Sequence, residues 1–589
     1  MANVDWSRFA TDTGRSERPD VQARRHAVTS GHYLASQAGF QILEAGGNAF
    51  DAGVAVGIAL GVVESEFVGF AGVAPSLMYL ARTGEVMGLS GVGPWPRATS
   101  IDFFQKERAG KIDGIFSTVV PGAPDTWLTV LEKFGTMSFA EVAAPSIGFA
   151  SQGFPMYPFM AEMIKGWIGS YQRWPSNAAI YLPKGRVPDV GDIFVQKDLG
   201  RTMQYMADEE KAQRRKDRKA GIEAARRAFY RGDIAQMILR FHKKMGGFLR
   251  AEDLASFRMT VEKPCHIRYR GIDVYSGGPY SQGPSMLQAL KILEGYDVEA
   301  MGRNSPDYVH VLTEAIKIVA ADRDAYIADP RVVDVPIDEL LSEGYADQRR
   351  DTIAMDRASP DVPLPGAIKS RTAGKPIRSR AHGRDLRGPE GIGAYADTSY
   401  FCVVDQDGNM FSSTPSDGHS QGPVVPGTGV VVSTRGLCSW ADPKHLNSIA
   451  PGKRPRLTNG PGFATKKGKW MMPLGTPGTD VQLQAMIQTL FNVVHFGMTP
   501  QGAIEAARFA SYSFPSSFEP HAKHPGRLNL EAGVGKETGD ELARRGHKVE
   551  WWGKRSWLAG SMCAIRKDLK TGVMQAAADP RRTAYAIGW

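Results

Sequence analysis

The run Thr398–Asn409, TSYFCVVDQDGN, constrains the fold more than any other stretch of the chain. Its alternation puts Thr398, Tyr400, Cys402 and Val404 on one face of a strand and Ser399, Phe401 and Val403 on the other. Gln406-Asp407-Gly408 has the form of a three-residue hairpin loop with Gly at the left-handed position. A register symmetric about Asp407 sets Thr398 opposite Ser416 and Tyr400 opposite Thr414, so two hydroxyls meet at the start of the first strand. Taken alone, a Thr facing a Ser is an ordinary cross-strand contact.

The length of 589 residues predicts about four domains or one large layered unit. Before the hairpin, Gly31–Val63 carries apolar residues at helical spacing, a Gly-Gly-Asn stop and a second, small-residue-rich helix, which predicts a helical hairpin. Strands are expected at Ser76–Leu80 and Glu85–Leu89, before a Gly- and Pro-rich turn, and helices over Asp125–Leu340. The Pro- and Arg-rich stretch Pro360–Glu390 has few apolar anchors to offset the entropy of ordering it, so 360–397 is expected to be a mobile linker. Strands are then expected at Tyr400–Val404, Met410–Thr414, Val430–Ser433 and Lys469–Pro473, followed by a final α/β portion.

Several function classes drop out. At 42% hydrophobic and 23% charged residues the composition is that of a globular protein, and no window approaches the ~20 apolar residues of a membrane span. The N-terminal residues lack a secretory signal pattern, which predicts a cytoplasmic protein with no membrane partner. Four cysteines without a CxxC pair suggest buried small hydrophobes, not a disulfide framework or a zinc site, and no metal or cofactor is expected. The net charge of +9 owes much to Lys211–Arg227, where acids are interleaved and aromatics absent, as on a solvated helix face; no nucleic-acid partner is expected. There is no G-x-S-x-G, HExxH, P-loop or dinucleotide fingerprint. The turn Gly475–Asp480, GTPGTD, offers successive backbone N–H groups that can face a developing oxyanion.

Together these residues resemble the γ-glutamyltranspeptidases, N-terminal nucleophile enzymes whose precursor cuts itself before a Thr. The resemblance runs from Gly31 to Trp589. Its markers are LEAGGNAFDAGVAV (Leu43–Val56), VPGAPDTW (Val120–Trp127), AFYRGDIA (Ala228–Ala235), GGFLRAEDLASF (Gly246–Phe257), the segment Tyr269–Gly295, ADRDAYIADP (Ala321–Pro330), DTSYFCVVDQDGN and DPRR (Asp579–Arg582). It implies a four-layer αββα sandwich with two stacked antiparallel sheets. It also implies cleavage of the Asp397–Thr398 bond, giving a large segment 1–397 and a small segment 398–589 that stay associated, with a homodimer of the processed unit as an option. Thr398 would attack the substrate carbonyl while its α-amine, with an unperturbed pKa of about 7.7–8, takes the proton. Ser416 matches the second hydroxyl beside the nucleophile, and Gly478 and Thr479 match the oxyanion amides, although the family has Gly at the second position.

The departures concern substrate. Ser90 stands where the family has a carboxylate-clamping Arg, and Ser439 where it has an amine-binding Asp. The family's serine pair becomes Leu457-Thr458, or Arg456-Leu457 in a shifted register; its Asn becomes Gly418 and its His becomes Tyr400. With Thr414 and Arg435, these residues make the candidate substrate-lining set: Ser90, Tyr400, Thr414, Gly418, Arg435, Ser439, Leu457 and Thr458. A buried zwitterion without countercharges costs several kcal/mol. The expected activity is therefore hydrolysis of a differently decorated small amide, with water or an amine as acceptor. Arg435 or Arg456 is a candidate for a relocated carboxylate contact, against the plainer reading of each as a surface Arg. The alternatives are a true γ-glutamyltransferase or glutathione hydrolase, and an unprocessed binding relative.

Overall fold

The computed structural model describes residues 16–213, 217–368 and 398–589. Asp397 and most of the expected linker at 360–397 lie outside them.

The hairpin forms in the predicted register. Phe401–Val404 pairs antiparallel with Met410–Ser413, Phe401 opposite Ser413 and Val404 opposite Met410, and an isolated bridge joins Thr398 to Ser416. Asp405 N–H donates to the Asn409 carbonyl at 3.1 Å, and Gly408 takes φ +86° in the loop between them. The Asp405 carboxylate accepts the Ala49 N–H at 2.9 Å. That seats the turn on the N-terminus of helix Ala49–Val63, where unpaired amides favour a negative charge.

This helix and Tyr33–Glu44 make the expected helical hairpin. Asn48 and Asp51 form a capping box at the start of the second helix, and all of its residues from Ala49 to Val63 are buried. Its small residues permit the close approach, because a Cβ on Gly53 would lie 2.0 Å from the Phe411 ring and one on Gly57 would lie 2.6 Å from Trp127. A helix apolar on all sides needs such cover.

Two seven-stranded sheets lie beneath the helices. One runs Tyr585–Gly588, Ala27–Ser30, Phe401–Val404, Met410–Ser413, Ser76–Leu80, Glu85–Leu89, Val261–Glu262, each pair antiparallel. The other runs Val21–Ala23, Met574–Ala578, Cys563–Asp568, Trp470–Gly475, Gly462–Lys466, Ile272–Ser276, Cys265–Tyr269, again antiparallel throughout. Tyr400, Cys402 and Val404 pack between the sheets with Phe463, Met471, Cys563 and Ile565. Phe401 and Val403 face the other way, into the core under helices Tyr33–Glu44, Ala49–Val63 and Ala123–Phe134. Helices Gly283–Leu293, Pro306–Tyr326 and Gln482–Val494 cover the outer side of the second sheet. The order helix, sheet, sheet, helix is the expected αββα sandwich.

Three local expectations change. The region read as helical contains the hairpin Cys265–Tyr269 and Ile272–Ser276, turned by Arg270 and Gly271 at φ +42° and +77°, which suits a two-residue loop. Val430–Ser433 forms no strand, only the bridge Val424 to Val431. In the basic stretch, Arg226 is not solvated but buried against Asp125 at 2.6 Å. All four cysteines are free and buried, as expected.

Candidate active site

Thr398 stands just before strand Phe401–Val404, bridged to Ser416, and its Oγ1 lies 2.9 Å from Ser416 Oγ, both residues being buried. Ser399 N–H donates to the Pro415 carbonyl at 3.0 Å and Gly31 N–H to the Tyr400 carbonyl at 3.1 Å, so the backbone is held on both sides. Gly31 allows this approach, since a Cβ there would meet Ser399 Oγ at 2.2 Å and Glu64 Oε2 at 2.5 Å. Ser416 pairs with Val73, and the next residue, Asp417, bends the chain at φ +85°.

The Asp417 carboxylate gathers Ser433 Oγ at 2.6 Å, Thr434 Oγ1 at 3.3 Å and Arg435 Nε at 3.1 Å. Burial raises the Asp417 pKa while the Arg435 charge opposes that rise. Arg435 also donates from Nη2 to Ser416 Oγ, and its guanidinium lies 5.0 Å over the Phe518 ring. Arg435 and Arg456 are both buried, which corrects their reading as surface residues. Arg456 approaches Asp324 at 3.4 Å, and burial pulls its pKa down to about 10.

The GTPGTD turn meets the hairpin through Tyr400. A Cβ on Gly475 would lie 2.3 Å from the Tyr400 ring, so the strand carrying Thr398 and the strand leading to Gly478 are in contact across the two sheets. The Tyr400 hydroxyl is engaged with Ser412 Oγ at 2.7 Å. Gly478 and Thr479 take φ +120° and +51°, both outside the regions an L side chain prefers. Asp480 fixes the end of the turn, accepting from Ser517 N at 2.8 Å, Ser517 Oγ at 2.6 Å and Arg323 Nη1 at 2.7 Å. Gln282 Nε2 donates to the carbonyls of Thr458 at 2.8 Å and Thr479 at 3.2 Å.

Of the remaining substrate-lining candidates, Ser90 and Ser439 have side-chain partners, whereas the Thr414 and Thr458 hydroxyls are buried with no hydrogen-bond partner among the described residues. Ser90 Oγ donates to Met259 Sδ at 3.4 Å, and Ser439 Oγ accepts the Trp95 indole N–H at 2.9 Å. Leu457 packs with Val73 and Val92. The Thr414 carbonyl accepts from Asn459 Nδ2 at 2.8 Å. Gly418 presses on the Glu66 carbonyl, 1.9 Å from where a Cβ would stand. Thus Thr398, Ser416 and Arg435 form one hydrogen-bonded group, Thr458 and Thr479 are linked by Gln282, and Ser90 and Ser439 are bonded to Met259 and Trp95. Asp417, Arg323 and Gln282 were not singled out from the sequence, and Asp480 only as the last residue of the GTPGTD turn. Arg323 and Gln282 do fall inside the markers ADRDAYIADP and Tyr269–Gly295.

Among the described residues, His310, Glu314 and His547 form a cluster with metal-ligating chemistry. The two histidines face each other, His310 Nδ1 lying 2.9 Å from His547 Nε2, and Glu314 accepts from buried Lys317 at 2.7 Å and from Ser359 N at 3.1 Å.

The sequence model of the gamma-glutamyltranspeptidase family matches residues 35–589. The chain belongs to the γ-glutamyltranspeptidase family. It is 32% identical over 572 residues to a "glutathione hydrolase-like YwrD proenzyme" of Bacillus subtilis (strain 168), covering 96% of this chain and 99% of that one. It is 33% identical over 563 residues to an "acylase ACY 1 proenzyme" of Pseudomonas sp. (strain V22), covering 93% and 91%. A cephalosporin acylase structure from Bacillus halodurans superposes with a TM-score of 0.81 at 29% identity, covering 98% of each chain. Fold and family together make this γ-glutamyltranspeptidase relative an enzyme of the N-terminal nucleophile class of amide hydrolases and acyltransferases.

Proposed function

We propose that the chain is a self-processing amidohydrolase with Thr398 as nucleophile, acting on a small amide that lacks the usual γ-glutamyl zwitterion. The observation that carries this reading is the buried Thr398 Oγ1 to Ser416 Oγ contact of 2.9 Å at the hairpin mouth. Self-cleavage begins when Oγ1 attacks the carbonyl carbon of residue 397. The C–N bond breaks as the Thr398 nitrogen takes the proton that Oγ1 gives up, and water opens the resulting ester to an Asp397 carboxylate, the restored Thr398 hydroxyl and a free Thr398 α-amine. In turnover the same oxygen attacks the substrate carbonyl and the α-amine takes its proton, then returns it to the departing amine. Water or an amine then releases the acyl group.

The large segment 1–397 and the small segment 398–589 would stay together, because both sheets interleave strands from each side of Thr398. The substrate reading is supported by Ser90 and Ser439, which offer no charge where the family places its clamp and whose hydroxyls are engaged with Met259 and Trp95. The named relatives leave glutathione hydrolysis as the alternative.

A denaturing gel tests the core of the proposal. Wild type should give two bands, the smaller beginning Thr-Ser-Tyr-Phe-Cys, while Thr398→Ala gives one uncut, inactive chain and Thr398→Ser retains part of both activities. Normal turnover by Thr398→Ala would sink the assignment. Rapid glutathione cleavage that needs both the α-amine and the α-carboxylate would instead establish the γ-glutamyl alternative.

A further inference from the structure

Beside the GTPGTD turn lies a small cavity that the proposed chemistry does not use. Its volume of about 10 Å³ is room for one water molecule, and Gln282, Thr458 and Gln482 are among the residues that line it. All three are buried, none more than 1% exposed. Gln282 stands at the start of helix Gly283–Leu293 and Gln482 opens helix Gln482–Val494 directly after the turn.

Backbone neighbours settle which end of each amide faces where, because a carbonyl only accepts and an N–H only donates. Gln282 Nε2 donates to the carbonyls of Thr458 at 2.8 Å and Thr479 at 3.2 Å, which leaves Oε1 as the other end. Gln482 Oε1 accepts the Gly460 N–H at 3.4 Å, which leaves Nε2. Gln282 Oε1, Gln482 Nε2 and Thr458 Oγ1 are each buried without a hydrogen-bond partner among the described residues. One acceptor, one donor and one hydroxyl that can act in either sense are the complement of a single water. It accepts from Gln482, donates to Gln282 and makes its third bond to Thr458, and three bonds are usual for a buried water.

The same residues tie the turn to the hairpin. Next to Thr458, Asn459 Nδ2 donates to the Thr414 carbonyl at 2.8 Å. Thr414 precedes Pro415, whose carbonyl accepts the Ser399 N–H at 3.0 Å. A path of hydrogen bonds and short chain steps therefore runs from the residue after Thr398 to Thr479.

We propose that the cavity binds one water molecule, and that Gln282 is a positioning residue which, with this water, holds the GTPGTD turn where its backbone N–H groups meet the oxyanion formed on attack by Thr398. This rests on Thr398 being the nucleophile. Gln282 acts through the Thr479 carbonyl, whose fixed direction sets the rotation of a residue held at φ +51°.

Two measurements test this, and the first needs no substrate. A high-resolution crystal structure of the wild-type enzyme should show one water within hydrogen-bonding distance of Gln282 Oε1, Gln482 Nε2 and Thr458 Oγ1. A dry cavity, or side chains turned to pair with one another, overturns the water site. The second measurement is steady-state hydrolysis of p-nitrophenyl acetate, an activated ester, with the release seen in Thr398→Ala subtracted. Gln282→Met keeps the length of the side chain and removes its donor. It should lower kcat by about tenfold or more with KM changed less than about twofold, since a displaced oxyanion donor acts on the transition state and not on binding. An unchanged kcat, or a change in KM alone, overturns the role of Gln282.

Gln282→Met leaves two buried carbonyls without their donor. If it fails to fold, as judged by circular dichroism, Thr458→Val takes its place, because it removes only the hydroxyl that faces the water. That variant should lower kcat by about threefold at unchanged KM, and a wild-type kcat overturns the proposal. Equal ester release by wild type and Thr398→Ala refutes the nucleophile and the positioning role together. Thr398-dependent release that Gln282→Met leaves intact refutes only the role of Gln282.

Discussion

At position 479 a β-branched residue is held at φ +51°, where the family pattern has Gly. A side chain in the left-handed region costs about 1–2 kcal/mol, partly offset by the ~0.5–1 kcal/mol of extra backbone entropy a Gly would lose on folding. Thr479→Gly should therefore leave the protein equally stable or up to about 1.5 kcal/mol more stable, with the backbone amide at that position still in place. Urea unfolding checks this. A loss above 1 kcal/mol would mean that the Thr479 side chain makes contacts that outweigh its strain. Gly31 is the opposite case, because the space for its Cβ is already filled by Ser399 and Glu64.

The element that brings a second set of groups to the hairpin is the turn after strand Trp470–Gly475, and it is held at both ends. Gly475 abuts Tyr400, and Asp480 is gripped by Ser517 and Arg323 from helix Pro306–Tyr326. Asp480→Asn removes a charge-assisted bond that is worth about 1.5–3 kcal/mol when buried. Arg323 still keeps Asp324 at 3.0 Å, so the chain should fold. Loosening an amide that acts only on the tetrahedral intermediate lowers kcat more than it raises KM. Steady-state kinetics on any turned-over amide reads that split, and a change in KM alone would detach the turn from catalysis.

Across the whole molecule, burial decides how the sandwich responds to acid. His32, His242, His445 and His547 are pulled down to about 3 and His419 and His521 to about 4, burial being the first cause in each. Each stays neutral when folded and takes a proton near pH 6.5 when unfolded, so the unfolded state binds more protons below that pH. Stability is complete above pH 6.5 and is lost as pH falls toward the folded values, by up to about 1.4 kcal/mol per histidine over the first unit. Glu66, raised to about 8, and Glu519, raised to about 7, act in the opposite sense, losing stability as pH rises from about 4.5. Six groups outweigh two. The Tm should therefore fall clearly between pH 7.5 and pH 5.5, and a Tm that holds or rises over that interval would contradict the burial of these imidazoles.

How far the sequence reaches can be seen from particular residues. The hairpin register, the helical pair Tyr33–Glu44 and Ala49–Val63 and strands Ser76–Leu80 and Glu85–Leu89 could be read directly, because each depends on periodicity and turn residues within a few positions. The pairing of Thr398 with Ser416 belongs here too, being a consequence of register about Asp407. Arg435 could not be read this way. Its charge suggested a surface, and only the fold buries it among Asp417, Ser416 and Phe518, the last 83 positions away in sequence. The same holds for Asp480 with Arg323, separated by 157 positions. Local pattern determined the elements and the hydroxyl pair; the packing of two interleaved sheets decided which charges surround that pair, because the energy of a buried ion depends on neighbours that the chain supplies from far along its length.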